Sequence, residues 1–114
     1  MNIALISDLH GQPPPLLREP VDLVLAAGDL DHGGPYGAIN VIERYKCPVI
    51  CIAGNHEFYG FRTTMKSNAI SNMTVDEFGD VRVLSCTGWT DFDLYSPKLR
   101  HDCMEVAHQA MADY

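Results

Sequence analysis

At 114 residues, with a hydrophobic fraction of 46%, the chain is long enough for one small domain with its own core and too short for two. No apolar run approaches the roughly 20 residues of a membrane helix, and the amino terminus lacks a signal-peptide pattern, so we expect a cytoplasmic protein with no membrane association. A net charge of −7 argues against a nucleic-acid partner and fits cation binding or simple solubility.

Three short apolar runs predict strands, at about residues 2–7, 22–27 and 48–53. Each run leads directly into a loop with polar side chains: Asp8 and His10 follow the first, Asp29 follows the second, and Asn55 and His56 follow the third. If the strands are parallel, these five side chains arrive at one edge of one sheet. Open α/β sheets bind their ligands at that edge.

The two connections between these strands differ in kind. Three consecutive prolines at residues 13–15 block a helix and leave too few residues for an ordinary crossover, so we expect an irregular first connection. Residues 35–45 carry apolar side chains at helical spacing, and Pro35 suits a first helical turn. The second connection is therefore predicted to be the crossover helix of a βαβ unit.

Beyond the third strand the pattern is weaker. Residues 58–73 are faintly amphipathic and predict a short helix, whereas residues 81–86 alternate as a strand does. The segment 98–114 predicts a closing helix whose broad apolar face carries Leu99, Cys103, Val106, Ala107, Ala110 and Met111. No linker or repeat separates these elements, so a single domain over residues 1–114 is expected.

The four cysteines show no C-x-x-C spacing, and we expect them to be reduced core or near-core residues. Cys51 could act as a thiol nucleophile with His56. It lies inside an apolar strand, however, three residues short of the loop, so core packing is the favoured interpretation.

The three loops carry side chains that suit a divalent metal. Asp8 and His10 are two residues apart at a strand end and can ligate one ion, and Asp29 has two oxygens that can bridge two ions roughly 3.5 to 4 Å apart. Asn55 offers a neutral carbonyl oxygen to a second ion. His56 would then be available as a proton donor. Each residue alone is weak evidence, and the order of all five is strong evidence.

Three motifs follow the apolar strands in this order: Asp8-Leu9-His10, Gly28-Asp29-Leu30-Asp31 and Gly54-Asn55-His56-Glu57. Together they resemble the calcineurin-like metallophosphoesterase family, and a looser likeness continues through residues 87–92. The resemblance implies an α/β (α+β) fold, a β-sandwich flanked by helices in which three parallel strands carry the site loops.

The same resemblance implies hydrolysis of a phosphomonoester or phosphodiester at a dinuclear metal centre. Asp8 and His10 hold the first metal, Asp29 bridges both metals, Asn55 holds the second, and His56 stabilises or protonates the leaving oxygen. The expected cofactors are two divalent transition-metal ions, from among Mn, Fe, Ni and Zn, rather than Ca²⁺. The expected substrate is a small phosphate ester or a nucleotide-like molecule.

The chain also departs from the family pattern. Family members add a strand that ends in a metal-binding His and then a Gly-His-x-His loop, and neither occurs here. We therefore expect a domain that is truncated relative to the family, with an incomplete sandwich. The second metal keeps only Asp29 and Asn55 as ligands, so a single bound ion is an alternative to two.

Three explanations of the short chain are open: a fragment, a natural compact form, or a chain that pairs with a second copy as a homodimer. The alternative to an active enzyme is an inactive or weakly active metal-binding remnant or interaction module that self-associates to complete its site. Replacement ligands could come from His32, which belongs to the site loop, or from His101 and His108, whose helix stripe with Glu105 is more typical of a solvated face.

Two further features have competing interpretations. Asp31 could support the metal site from behind or simply stabilise a turn. Three aromatic residues near the predicted site could stack a nucleobase, although such residues more often fill a core: Trp89, Phe92 and Tyr95.

Overall fold

The fold is given by a computed structural model, which describes residues 1–32, 36–58, 73–88 and 97–110. Its centre is a three-stranded parallel sheet in the order β1-β2-β3, formed by Ile3–Ile6, Leu23–Ala26 and Val49–Cys51. Each strand is slightly shorter than its apolar run. The predicted class, α/β with three parallel strands that precede the site loops, is confirmed.

The connection from β1 to β2 is irregular throughout, as the prolines predict. Its last residue, Asp22, is held beside the start of β1, because the Asn2 N–H donates to Asp22 Oδ2 (2.7 Å) and the Asp22 N–H donates to the Asn2 carbonyl (2.8 Å). Its middle is held by the Tyr45 hydroxyl, which donates to the Pro15 carbonyl (2.7 Å). A segment that cannot form a helix is thus fixed at its end, beside β1, and at its middle, by Tyr45.

Helix α1, Tyr36–Arg44, is the predicted crossover between β2 and β3, and it covers one face of the sheet. Its small side chains allow a close approach: Gly37 lies against Leu30, and a Cβ at Gly37 would be 2.6 Å from the Leu30 carbonyl oxygen. The core lies between the helix and the sheet. It is built from side chains of the three strands, the loops after β2 and β3, and α1 itself, namely Ile6, Val24, Ala26, Leu30, Ala38, Val41, Cys51 and Ala53.

The described residues cover the opposite face of the sheet only partly. A hairpin of β4, Met73–Phe78, and β5, Val81–Cys86, pairs antiparallel through a two-residue turn in which Gly79 has a φ of +58°. Between the hairpin and the sheet lies an apolar cavity of about 280 Å³, and Leu5 at its margin is 71% exposed. Within the described ranges, this one-sided covering is consistent with a partial sandwich.

Strand β4 is absent from the sequence prediction, whereas β5 is confirmed. Adjacent acidic residues, Asp76 and Glu77, interrupt the apolar pattern of β4, and the strand owes its existence to pairing with β5. Of the short helix predicted for residues 58–73, residues 59–72 lie outside the described part of the chain. A 3-10 helix, His56–Phe58, stands at its start.

Helix α2, Pro97–Ala110, confirms the predicted closing helix within the described residues. The expectation that it packs along a broad apolar face is wrong for most of that face. Ala107 is buried, whereas Leu99 is half exposed and Val106 is 64% exposed. None of the described helices is long and apolar enough to cross a membrane.

Candidate metal centre

Backbone hydrogen bonds join the loops after β1 and β2 residue by residue. The Asp8 N–H donates to the Gly28 carbonyl (3.1 Å), and the His10 N–H donates to the Asp29 carbonyl (2.9 Å). The Gly11 N–H then donates to the Leu30 carbonyl (3.0 Å). The parallel pairing of the strands therefore continues into the loops, and it sets the spacing between their side chains.

Three residues of these loops have a left-handed backbone although none is glycine. The φ angles are 55° at Asp8, 46° at His10 and 53° at Asp29. This region disfavours residues that carry a Cβ, with Asp, Asn and His the most tolerant, and such strain concentrates at functional sites. The conformation turns these side chains out of the strand direction and toward one another at the sheet edge.

Glu57 holds the loops together from beneath. Its side chain is fully buried, at 0% exposure. One carboxylate oxygen accepts the N–H groups of Leu30 (2.6 Å) and Asp31 (3.1 Å), and the other accepts those of Asp29 (2.8 Å) and Gly54 (2.7 Å). A buried carboxylate needs such partners, and here they satisfy four backbone donors in turns that have no regular secondary structure.

The loops after β2 and β3 also touch directly. A Cβ at Gly54 would collide with the Asp29 carboxylate, so only glycine fits there. The Asp29 carboxylate accepts the His56 N–H (3.0 Å), which places the third motif against the second. Asp29 is therefore positioned by contacts from both neighbouring loops.

The carboxylate and imidazole groups of the first two loops converge as potential metal ligands. Asp8, His10 and Asp29 each present one ligand atom, and these three atoms all lie within 4.8 Å of one another. Asp8 Oδ1 is 3.9 Å from His10 Nε2. Two carboxylates and an imidazole form a donor set that suits a divalent transition metal, so the residues fit such an ion.

Asn55 and a separate wall complete a polar cavity of about 220 Å³ beside this group. The cavity is lined by Asp8, Asp29 and Asn55 on one side and by Thr87 and Gly88 on the other. The wall is held in place because the Thr87 hydroxyl donates to the Ala53 carbonyl (2.7 Å). A small molecule in the cavity would face both the carboxylates and the end of β5.

Of the additional histidines that the sequence suggests, His32 joins the site. Its ring centroid lies 5.7 Å from that of His10 and 5.9 Å from that of His56. His101 and His108 are exposed on α2, and neither belongs to a ligand group among the described residues. A solvated helix face, with His101 Nε2 3.9 Å from Glu105 Oε2, is the interpretation that the structure supports.

Two other residues considered for the site, Asp31 and Cys51, have structural roles. Asp31 has the turn role, since its carboxylate accepts the His32 N–H (2.8 Å). Burial, reinforced by the nearby negative charge of Glu57, raises the pKa of Cys51 to about 11, so its thiol is a core group and not a nucleophile. All four cysteines are free, as expected, but Cys86 is exposed, so the expectation of a core or near-core position is wrong for that residue. The aromatic residues proposed for nucleobase stacking lie outside the described ranges.

Glu57 is the last residue of the third motif, and the sequence predicted no role for it. The available indication is its position: an acidic residue three places after a glycine, at the first turn that follows a buried strand, can accept exposed backbone N–H groups. The partners in the loop after β2, 26 to 28 residues away, follow only from the folded structure.

Residues 1–105 match the family described as calcineurin-like phosphoesterase. Neither the curated proteins nor the solved structures give a significant match.

Proposed function

The chain belongs to the calcineurin-like phosphoesterase family, a family of metal-dependent phosphoesterases, and we propose that it hydrolyses a small phosphate ester with divalent transition-metal ions bound at its strand-end loops. The observation that carries the proposal is the convergence of Asp8, His10 and Asp29, whose ligand atoms lie within 4.8 Å of one another. Bound divalent ions supply positive charge for the phosphate oxygens and lower the pKa of an attacking water.

The chain's own residues divide the remaining work. Asp8 and His10 would hold the first ion, Asp29 would contribute its carboxylate to both ions, and Asn55, in the wall of the polar cavity, would offer its carbonyl oxygen to the second. Four backbone N–H groups fix the loops after β2 and β3 on Glu57, and the N–H groups of Asp8 and His10 bond to the loop after β2, so these ligands are held before an ion arrives. Such preorganisation reduces the free energy spent on ordering the site when the ion binds.

His56 is the residue that we propose to act on the leaving group. Its backbone is anchored on the Asp29 carboxylate, and its ring meets the His10 ring edge to face at a centroid distance of 4.5 Å. The imidazole therefore lies beside the proposed metal ligands, where it can donate a proton to the oxygen that leaves phosphorus. General acid catalysis of this kind typically contributes a factor of roughly 10² to 10⁴ in rate.

The cavity supports a substrate with a small group at the phosphate. Its volume of about 220 Å³ is below the roughly 300 to 1,000 Å³ of sites for drug-sized ligands. Asp8 and Asp29 line it, so a phosphate without bound cations would be repelled from it. The reaction is therefore proposed to depend strictly on metal.

The test is hydrolysis of p-nitrophenyl phosphate and bis-p-nitrophenyl phosphate with added Mn²⁺ and after chelation. Asp29→Asn keeps the left-handed backbone accessible and keeps an oxygen for the His56 N–H, so its main loss is the metal-binding charge. We expect Mn²⁺-dependent hydrolysis in the unsubstituted protein and a loss of at least about 100-fold in Asp29→Asn and in His56→Ala. Asp80→Asn, in the exposed hairpin turn, is the matched control and should retain full activity.

The proposal would be contradicted if hydrolysis persisted after chelation, or if Asp29→Asn hydrolysed the esters as fast as the unsubstituted protein. Metal binding without any hydrolysis of either ester would instead favour the metal-binding remnant.

A further inference from the structure

Three imidazole rings lie together beside the carboxylate ligand group. The centroids of His10 and His56 are 4.5 Å apart, and that of His32 is 5.7 and 5.9 Å from theirs. One ring nitrogen of each residue lies within 4.8 Å of one nitrogen of both others. We propose that these three residues, the histidine triad, form a transition-metal site of their own, in which His32 is the ligand that the proposed phosphoesterase reaction does not require.

Backbone hydrogen bonds of the loop after β2 determine the position of His32. The two residues before it, Asp31 and Leu30, donate their N–H groups to the buried Glu57 carboxylate, and the Asp31 carboxylate accepts the His32 N–H. Gly11 lies alongside, since a Cβ there would be 3.7 Å from His32 Cδ2. The ring is thus presented to His10 by a loop that is fixed at several points.

The environment of the histidine triad suits an ion that enters from solvent. His32 is exposed, and His10 and His56 are half-buried. Zn–N bonds of about 2.0 to 2.1 Å require the three nitrogens to approach one another further. The exposed side chain of His32 has the rotational freedom to make that adjustment while its backbone stays in place.

The ligand atoms distinguish the histidine triad from the neighbouring group of Asp8, His10 and Asp29. Three imidazoles favour Zn²⁺, Ni²⁺, Co²⁺ or Cu²⁺, whereas carboxylate oxygens also accept Mn²⁺ and Mg²⁺. His10 contributes one ligand atom to each group, so the two groups compete for it. An ion held by the triad would also withdraw His56 from the leaving group. We therefore expect excess Zn²⁺ to slow phosphate-ester hydrolysis, a consequence that rests on the proposed function, whereas the site itself does not.

Zinc affinity, measured by competition with a chromogenic chelator, tests the site without reference to activity. We expect His32→Ala to weaken the binding of Zn²⁺ at least about 10-fold, the lower end of the loss that even an outer-shell change causes. His101→Ala, on the exposed face of α2, is the matched control and should bind Zn²⁺ as the unsubstituted protein does.

A second measurement needs no substitution. In ¹⁵N spectra of the imidazoles, Zn²⁺ should shift the signals of His10, His32 and His56 and leave those of His101 and His108 in place. Equal zinc affinity in His32→Ala and the unsubstituted protein, or an unshifted His32 signal, would overturn the proposal. A protein that binds zinc as described but hydrolyses no ester would refute the proposed function alone.

Discussion

At the scale of single residues, Glu57 shows how a buried charge can organise a site without touching its ligand. The carboxylate has no solvent contact and accepts four backbone N–H groups from the loops after β2 and β3. Those loops carry Asp29, Asn55 and His56, so one side chain fixes the spacing of three candidate site residues. Its contribution should therefore be visible both in stability and in metal binding.

Replacing Glu57 by glutamine tests this role. The amide keeps the size of the side chain, but its NH₂ group cannot accept, and it would face backbone N–H groups that lose their acceptor. We expect the free energy of unfolding, measured by urea denaturation, to fall by about 3 kcal/mol. Glu43→Gln, on the exposed side of α1, is the control and should change it by less than about 0.5 kcal/mol. Equal stability of the two variants would show that the buried carboxylate is not what holds the loops.

The cysteines provide a second prediction at this scale. Because burial and the nearby Glu57 raise the pKa of Cys51 to about 11, its thiol stays protonated at pH 8, whereas Cys86 is exposed. A thiol reagent followed by peptide mass mapping should label Cys86 much faster than Cys51 in the folded protein. As the pH rises toward about 11, the unfolded chain loses the Cys51 proton first, so the thiol lowers stability there. Equal labelling rates at pH 8 would contradict this account of the core.

At the scale of elements, some strands and helices could be predicted from the residue pattern and others could not. The three parallel strands are short, apolar and bounded by polar loops, and α1 has helical spacing, so all four could be predicted from periodicity alone. Strand β4 could not, because its acidic pair breaks the alternation and only pairing with β5 makes it a strand. The apolar side chains of α2 predict a helix correctly but not its burial, since burial depends on what surrounds it.

The contact between α1 and the loop after β2 is the element-level contact most open to test. A Cβ at Gly37 would lie 2.6 Å from the Leu30 carbonyl oxygen, so Gly37→Ala must push the helix away from the sheet. We expect a loss of about 1 to 3 kcal/mol in the free energy of unfolding, typical of overpacking. At Gly88 no atom of the described residues lies within 4 Å of an added Cβ, and Gly88→Ala should be nearly neutral. Thermal or urea unfolding of both variants decides the matter, and similar midpoints would contradict the proposed close packing.

At the scale of the whole molecule, the sequence predicts the metal-ligand group more completely than it predicts the packing of the elements around it. Motif order and strand ends were sufficient to predict that Asp8, His10 and Asp29 meet, because parallel strands deliver their carboxyl ends to one edge. The place of His32 in the site and the hydrogen bonds of Glu57 depend on left-handed turns, whose geometry the residue pattern does not encode. Within the described residues, the three-stranded sheet has one face covered by α1, whereas Leu5 of β1 and Leu84 of the hairpin strand β5 are exposed.

The central claim is that the strand-end loops of this chain bind divalent metal, and elemental analysis of metal per chain tests it most directly. The protein is loaded with Mn²⁺, separated from free metal, and its mass in solution is determined in the same run. We expect at least one Mn²⁺ per chain in the unsubstituted protein and a clear loss in Asp29→Asn, with close to two ions in a defined oligomer if the centre is dinuclear. No retained Mn²⁺, or the same amount in Asp29→Asn, would contradict the claim and leave the family membership as a matter of fold.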